Sequence, residues 1–375
     1  MKRLALKIVF AIFLFTSCST DKNLDDLFDT NASFDSSTIA FIDRITDNSA
    51  EWSLCTADAS GDDMQKITDK TVACRKPVRS HSGSQLLFLA QKFDYYNDEN
   101  NTWHASSLYE LYIINIDGTG LTLIDRIDST EEGNFGDFDW SPDDRQIVYV
   151  RSYDNYWDKT CLILYDISDN FSTILQTGGN ICNPKFSPDG KQIVYCVSTE
   201  TSYHIYKMNV NGNNNQLIIS NASYPKWSPK GDKIVYLASG KDRSSQISVA
   251  NADGSNQKQL TSSVSPEWRD TGFPRDGNSD PQWTPDGKKI VYVSWENGRS
   301  EIFIMNADGS KQTRLTEAET RDDSPDVTPD GKYILFSSVR SGMIGGINPG
   351  ICIMTLEGKS QKVLLKTGTY PVACR

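Results

Sequence analysis

Histidine is scarce: the 375-residue chain has three. His81, His104 and His204 lie far apart, which leaves little material for an imidazole-rich metal centre. Also missing are the H-E-x-x-H of zinc peptidases, the G-x-S-x-G elbow of serine hydrolases and the G-x-x-x-x-G-K-[ST] phosphate loop. None of the eight cysteines forms a C-x-x-C pair, so a zinc ribbon is not indicated. Positive charge is in deficit: 38 Lys and Arg against 49 Asp and Glu give a formal charge of −11. That balance disfavours binding to nucleic acid or to an anionic lipid surface. Fourteen prolines and 25 glycines are too few for a disordered chain. No catalytic residue, metal or cofactor is expected on these grounds. What is present is a hydrophobic content of 38% with 10% aromatics, enough for a sizeable core.

The first residues read as a targeting segment. Lys2 and Arg3 are basic, and Ile8 to Phe15 is an apolar run too short to span a membrane as a helix. The run leads into "LFTSC", which resembles the lipobox of bacterial lipoproteins, although Phe15 stands where that family prefers leucine. The resemblance implies that Cys18 is lipidated, and Ser19 after it implies outer-membrane sorting. An ordinary cleaved signal with an incidental cysteine is the alternative. The expected division is residues 1–17 as signal peptide, 18–33 as a polar, acidic tether and 34–375 as one folded unit. An exported location permits disulfides without requiring them. Cys182 and Cys196 flank one hairpin at nearly mirrored distances, so a cross-strand bridge is open there, with free buried thiols as the expectation.

Repetition is the dominant signal. "FSPDGKQIVYC" from Phe186 has relatives at Trp140, Trp227, Trp283 and Val327. The clearest unit runs from Pro281 to Thr316. "QWT" is a short strand, "PDG" a turn, "KKIVYVS" a β-branched strand, "EIFIMN" a third strand, "ADG" a second turn and "TRLT" a fourth strand. Such a four-stranded meander cannot bury both of its faces alone, so copies must stack. Third strands recur from Leu111, Leu162, Ile205, Ile247 and Ile351, and weaker copies begin at Arg79 and Ser37. The pattern predicts an all-β chain folded as a single β-propeller of about seven four-stranded antiparallel blades. The C-terminal "TYPVACR" reads as a first strand without its repeat, while the N-terminal repeat lacks a clear first strand. The last strand is therefore expected to close the ring inside the first blade. Nothing in the pattern calls for an oligomer.

"YPKWSPKGDKIVY" and "EIFIMNADGSKQTRLT" resemble the TolB-type propeller repeat from Ser37 to Arg375, most closely from Trp140 to Thr316. The resemblance implies the fold more sharply than the function. Such propellers serve a periplasmic Tol protein, the non-catalytic half of prolyl oligopeptidases, some polysaccharide lyases and many bacterial lipoproteins. The chain departs from the Tol protein in lacking the α/β domain that precedes its propeller. It also has too few histidines for the metal cluster that the lyases imply, and no stretch for a hydrolase domain.

The short turns all join strands one to two and three to four, so they share one face. The long insertions begin at Asp94, Ser152, Ser265 and Arg340 and fall on the other face, where binding residues usually sit on a rigid scaffold. Exposed aromatics beside polar groups suit stacking on sugars or gripping a peptide. The candidate ligand-binding set is Tyr95, Tyr96, Trp103, His104, Tyr153, Tyr156, Trp157, Trp268, Arg269 and Trp295, with Asp280, Asp322 and Asp323 at the channel mouth, where their carboxylates could offer oxygen ligands to a cation. The same residues could instead order the loops and cap turns. The sequence thus points to a non-catalytic envelope lipoprotein, held to the membrane only by its lipid, whose loop face binds an envelope protein, peptide or glycan. The alternative is a carbohydrate-active enzyme, a lyase or hydrolase, working at the channel mouth.

Overall fold

A computed structural model describes residues 38–44 and, between 52 and 374, all but residues 59, 62, 69–72, 98–102, 128–132, 154–158, 240–243, 263–276, 297–298, 317–320 and 340–348; at 44, 93–97, 103–107 and 296 the backbone alone is described. The described strands form seven four-stranded antiparallel blades, five of them separate sheets and two joined into one eight-stranded sheet. Blade one joins Ile39–Arg44, Trp52–Ala57 and Gln65–Lys66 to an innermost strand, Thr369–Ala373, from the far end of the chain. Blade two is Ala73–Arg79, Gln85–Asn97, Trp103–Asn115 and Thr122–Ile127. Blade three is Asn134–Trp140, Gln146–Ser152, Thr160–Asp166 and Phe171–Thr177. Blade four is Asn180–Phe186, Gln192–Ser198, Tyr203–Asn209 and Gln216–Ser220. Blade five is Ala222–Trp227, Lys233–Ser239, Ser245–Asn251 and Lys258–Gln259. Blade six is Gly277–Trp283, Lys289–Glu296, Arg299–Asn306 and Thr313–Arg314, tied to blade five by one parallel bridge, Ser245 to Gly277. Blade seven is Arg321–Val327, Tyr333–Val339, Gly350–Thr355 and Lys362–Leu365.

The core is divided among the blade interfaces. Separate apolar clusters join blades two and three, three and four, four and five, five and six, six and seven, seven and one, and one and two. Every blade is thus packed on both faces. That explains runs such as Ile193, Val194, Tyr195 and Cys196, all buried although neighbours in a strand point to opposite sides. The innermost strands adjoin one another in the order of the blades, and that of blade one lies against those of blades seven and two. Ile39 pairs with Ala373 and Ala40 with Val372, so the last strand completes the first blade as its sequence implied.

The repeated proline–glycine turn is scaffold. In blade four Ser187 accepts the Gly190 amide at 2.9 Å, and its hydroxyl both donates to Asp189 at 2.6 Å and accepts the Gln192 amide at 2.9 Å. The turns also dock head to tail. A Cβ built on Gly190, Gly231, Gly287 or Gly331 would lie 3.5–3.6 Å from Pro142, Pro188, Pro229 or Pro285 of the preceding blade. Where a tryptophan precedes the turn, it reaches the same way. Trp140 Nε1 donates to Val78 O at 3.1 Å, Trp227 Nε1 to Lys185 O at 3.2 Å and Trp283 Nε1 to Lys226 O at 3.3 Å, each crossing to the inner strand of the blade before. The motif sets the spacing between blades as well as turning the chain.

Candidate functional site

The innermost strands share a distortion that the sequence did not announce. Each carries a bulge against its second strand: between Arg75 and Val78, Phe135 and Phe138, Cys182 and Lys185, Ser223 and Lys226, Ser279 and Gln282, and Asp323 and Asp326, with the matching break in the pairing of Thr369–Ala373. Within six of the seven bulges one non-glycine residue has a left-handed φ: Lys76 (52°), Asn183 (49°), Tyr224 (52°), Asp280 (49°), Ser324 (53°) and Tyr370 (51°). Each stands immediately before a proline, a place where a residue ordinarily takes an extended conformation. A bulge re-aims a side chain, and left-handed backbone at a non-glycine residue costs on the order of 1–3 kcal/mol. Six such residues at one level of a ring form a rim built against local preference. Asp137 holds the equivalent level in blade three.

The rim is knitted from blade to blade. Asp137 accepts from Lys76 Nζ at 2.7 Å on one side and from Asn183 Nδ2 at 2.6 Å on the other. Tyr224 and Tyr370 are 49% and 52% exposed, so two aromatic rings stand open there. Deeper in the channel lies a mixed layer of charge. Lys185 pairs with Asp139 at 2.9 Å. Lys226 faces Asp280, Asp326 and Asp139 together with Lys185; burial in the channel wall pulls its amine down to about 8. Burial pushes the Asp326 carboxyl up, against the pull of Arg79 and Lys226, while Asp326 Oδ2 accepts the Ala373 amide at 2.9 Å. Acids and bases stand together in this layer, with Lys185 and Lys226 in adjacent blades, so the wall offers donors and acceptors to a polar ligand without a field of one sign.

Several residues singled out in the sequence meet at the mouth between blades six and seven. Asp323 is part-buried; burial raises its carboxyl to about 6, the Ser324 hydroxyl and Arg321 pull it back, and Asp280 and Asp322 push it further up. The Arg321 guanidinium lies 5.1 Å from the centre of the Trp295 ring. Asp280 is exposed on the rim. Asp322 does not join them: it is fully buried and accepts from Ser338 Oγ at 2.6 Å, so the expectation that it lines the mouth fails. Successive strand residues alternate sides, and this one turns into the sheet. Tyr153 is 45% exposed at the end of its strand, with Arg151 stacked 5.1 Å from its ring centre and held at 2.6 Å by Asp125.

The insertion from Asp94 differs from its reading as a loop. Strand pairing continues through Asp94–Ser106, Tyr95–Ala105, Tyr96–His104 and Asn97–Trp103, so 13-residue strands extend blade two as a hairpin arm. Aromatic residues of high strand propensity carry the ladder onward. Tyr156, Trp157, Trp268 and Arg269 lie outside the described residues, as do Cys18 and the tether. His81 and His204 stand in different blades: His81 donates its amide to Asp144, and His204 lies beside Ser202 in blade four. Among the described residues no three metal-ligating side chains cluster. The sequence analysis missed the rim, with the exception of Asp280, because its members share no chemistry; the recurrent x-Pro pair in the inner strands was the available signal.

Comparison with known proteins gives these features a context. The family model described as the TolB beta propeller domain matches residues 25–269 and 271–372. The Tol-Pal system protein TolB of Alcanivorax borkumensis is 31% identical over 98 residues, 26% of this chain and 20% of that protein. The chain matches such curated relatives over only about a fifth of their length. Among solved structures, the β-propeller domain of the Trilobed protease from Pyrococcus furiosus superposes with a TM-score of 0.61 at 12% identity, covering 87% of this chain and 94% of that one. That domain is described as an open velcro, whereas here the last strand pairs into the first blade. An oligogalacturonate lyase from Vibrio parahaemolyticus superposes with a TM-score of 0.56 at 14% identity, covering 88% and 85%. At these identities the likeness concerns the fold.

Proposed function

The chain belongs to the TolB beta propeller domain family, and from that premise we propose that it is a non-catalytic binding module which takes a protein, peptide or glycan partner on its loop face, at the channel rim. The observation that carries this reading is the set of six left-handed residues, Lys76, Asn183, Tyr224, Asp280, Ser324 and Tyr370, around one channel. Backbone strain held at equivalent positions in successive blades is a feature of sites that present side chains to a ligand. Two exposed tyrosines supply apolar surface with a polar tip, while Asp280, Asp323 and Lys76 supply charge. The Arg321–Trp295 stack beside Asp323 adds a flat platform at the same mouth.

The experiment is capture from envelope extracts by the intact protein, compared with a Tyr224→Ala/Tyr370→Ala/Asp280→Asn variant and with a variant shortened across residues 94–106. Loss of the captured partner with the rim variant supports the reading; equal capture by all three proteins refutes it. The name of the Tol-Pal relative supports a cell-envelope location, and the "LFTSC" segment supports lipidation at Cys18 with outer-membrane anchoring. Cys18→Ala should then move the protein from the membrane to the soluble fraction.

A second reading rests on one observation, the Asp323 carboxyl raised to about 6, within range for acid–base chemistry near neutrality. It would make the mouth the site of a carbohydrate-active enzyme. Turnover of an oligosaccharide that is lost in Asp323→Asn would favour it over the binding module.

A further inference from the structure

The bulge of blade four carries a second chemical feature. Cys182 lies directly opposite Cys196 in the antiparallel pairing of Asn180–Phe186 with Gln192–Ser198, at the last paired position before the bulge opens. Directly opposed residues of an antiparallel pair stand side by side on one face of the sheet, the closest approach that two strands offer to side chains. Both point toward blade five, where Cys196 belongs to the apolar cluster and Cys182 packs against it. Cys196 is fully buried, whereas Cys182 is part-exposed. Both are free thiols in this structure. The other five described cysteines are all buried, and none of the strand pairings sets another two opposite each other.

We propose that Cys182 and Cys196 form a thiol–disulfide site, oxidised to a cross-strand bridge by a disulfide-bearing oxidant that enters from the channel rim. The two cysteines have different parts. Burial, and then the neighbouring Cys182 thiol, hold the Cys196 thiol well above its ordinary range. The accessible Cys182 is therefore the group that attacks the incoming oxidant. Its thiolate displaces one sulfur of the oxidant, forming a mixed disulfide and releasing one thiol. The Cys196 thiolate then attacks Cys182 Sγ, forming the Cys182–Cys196 bond and expelling the second thiol. The protein loses two protons and two electrons, and the oxidant disulfide becomes two thiols. The bridge would clamp the turn between the two strands and fix the residue next to Cys182, Asn183, whose left-handed backbone and 2.6 Å hydrogen bond to Asp137 build the rim. In a reducing compartment the pair remains a dithiol; in an oxidising one it closes.

The test treats the purified full chain with oxidised glutathione, alkylates the remaining thiols and maps a non-reduced digest. The expected result is joint loss of alkylation at Cys182 and Cys196, one peptide linked through those two residues, and a higher urea midpoint that dithiothreitol reverses. Cys196→Ser should trap Cys182 as its glutathione adduct, and Cys182→Ser should leave Cys196 alkylatable only after unfolding. The proposal is overturned if both wild-type cysteines stay reduced under oxidant that bridges them in the urea-unfolded chain. It is equally overturned if Cys182 accumulates as the glutathione adduct in the wild-type protein. The wild-type digest decides the matter even if a serine variant fails to fold.

Discussion

Replacing Asp323 by asparagine tests the electrostatics of the channel mouth. The carboxyl titrates near 6 in the folded protein against an ordinary 3.8, raised by burial and by Asp280 and Asp322. An acid whose folded value lies above its unfolded value binds its proton more tightly when folded. Its ionised form therefore costs stability, a cost absent below pH 4, growing as pH rises from 4 to 6 and constant above. Two units correspond to about 3 kcal/mol at the limit, and contact with channel water reduces this to about 1–2 kcal/mol. Asparagine removes the ionisation and keeps an oxygen to accept the Ser324 hydroxyl, which donates at 3.2 Å. Asp323→Asn should therefore stabilise the protein by about 1–2 kcal/mol at pH 8 and by about zero at pH 4. Urea unfolding at half-unit pH intervals, with the midpoint difference plotted against pH, measures this. A gain that is the same at pH 4 and pH 8, or a loss at pH 8, would refute the assignment of strain to the ionised carboxylate. Asp280→Asn supplies a second arm, since removing that charge should carry the Asp323 titration downward when followed by NMR.

Other substitutions probe the scaffold. Trp227→Phe leaves Lys185 O without its donor and should cost about 1–2 kcal/mol in urea unfolding. Gly287→Ala, at φ +69° with its new Cβ in ordinary contact with Pro229, should cost about 1–2 kcal/mol. Gly254→Ala should cost more than about 3 kcal/mol, because its Cβ would lie 2.3 Å from Ile218 O. The ratio of those two glycine effects separates backbone strain from collision. Removing residues 369–375 should strip the innermost strand from blade one and expose the edge of Ile39–Arg44, read as self-association in size-exclusion chromatography.

The fold was legible because its determinants are local and repeated. Pro188, Gly190 and the Ile193–Tyr195 run say the same thing in blade after blade, and "TYPVA" could be recognised as a first strand without a blade. The rim was not legible, because a bulge depends on pairing across strands and leaves no periodic trace: Lys76, Asn183, Tyr224 and Ser324 have nothing in common but a following proline. Asp322 was misplaced for a related reason. Composition shows an acidic pair at the mouth, but only alternation along the strand reveals that one member turns inward toward Ser338. The hairpin arm at Asp94 was read as a loop because its polar residues resemble turn formers, and backbone pairing overrode them.

The closing strand has a consequence for the order of assembly. Ile39–Arg44 is made well before its inner partner, Thr369–Ala373, from which more than 300 residues separate it in the chain. At ordinary ribosomal rates the wait is on the order of half a minute, during which the first blade has an unpaired inner edge. Joining the two ends then carries a loop-closure cost of about 5 kcal/mol, met only after the intervening blades have stacked and brought the ends together. The pairing of Ile39–Arg44 with Thr369–Ala373 is the most non-local in the fold, so until it forms the inner edge of blade one stays open to capture by another strand.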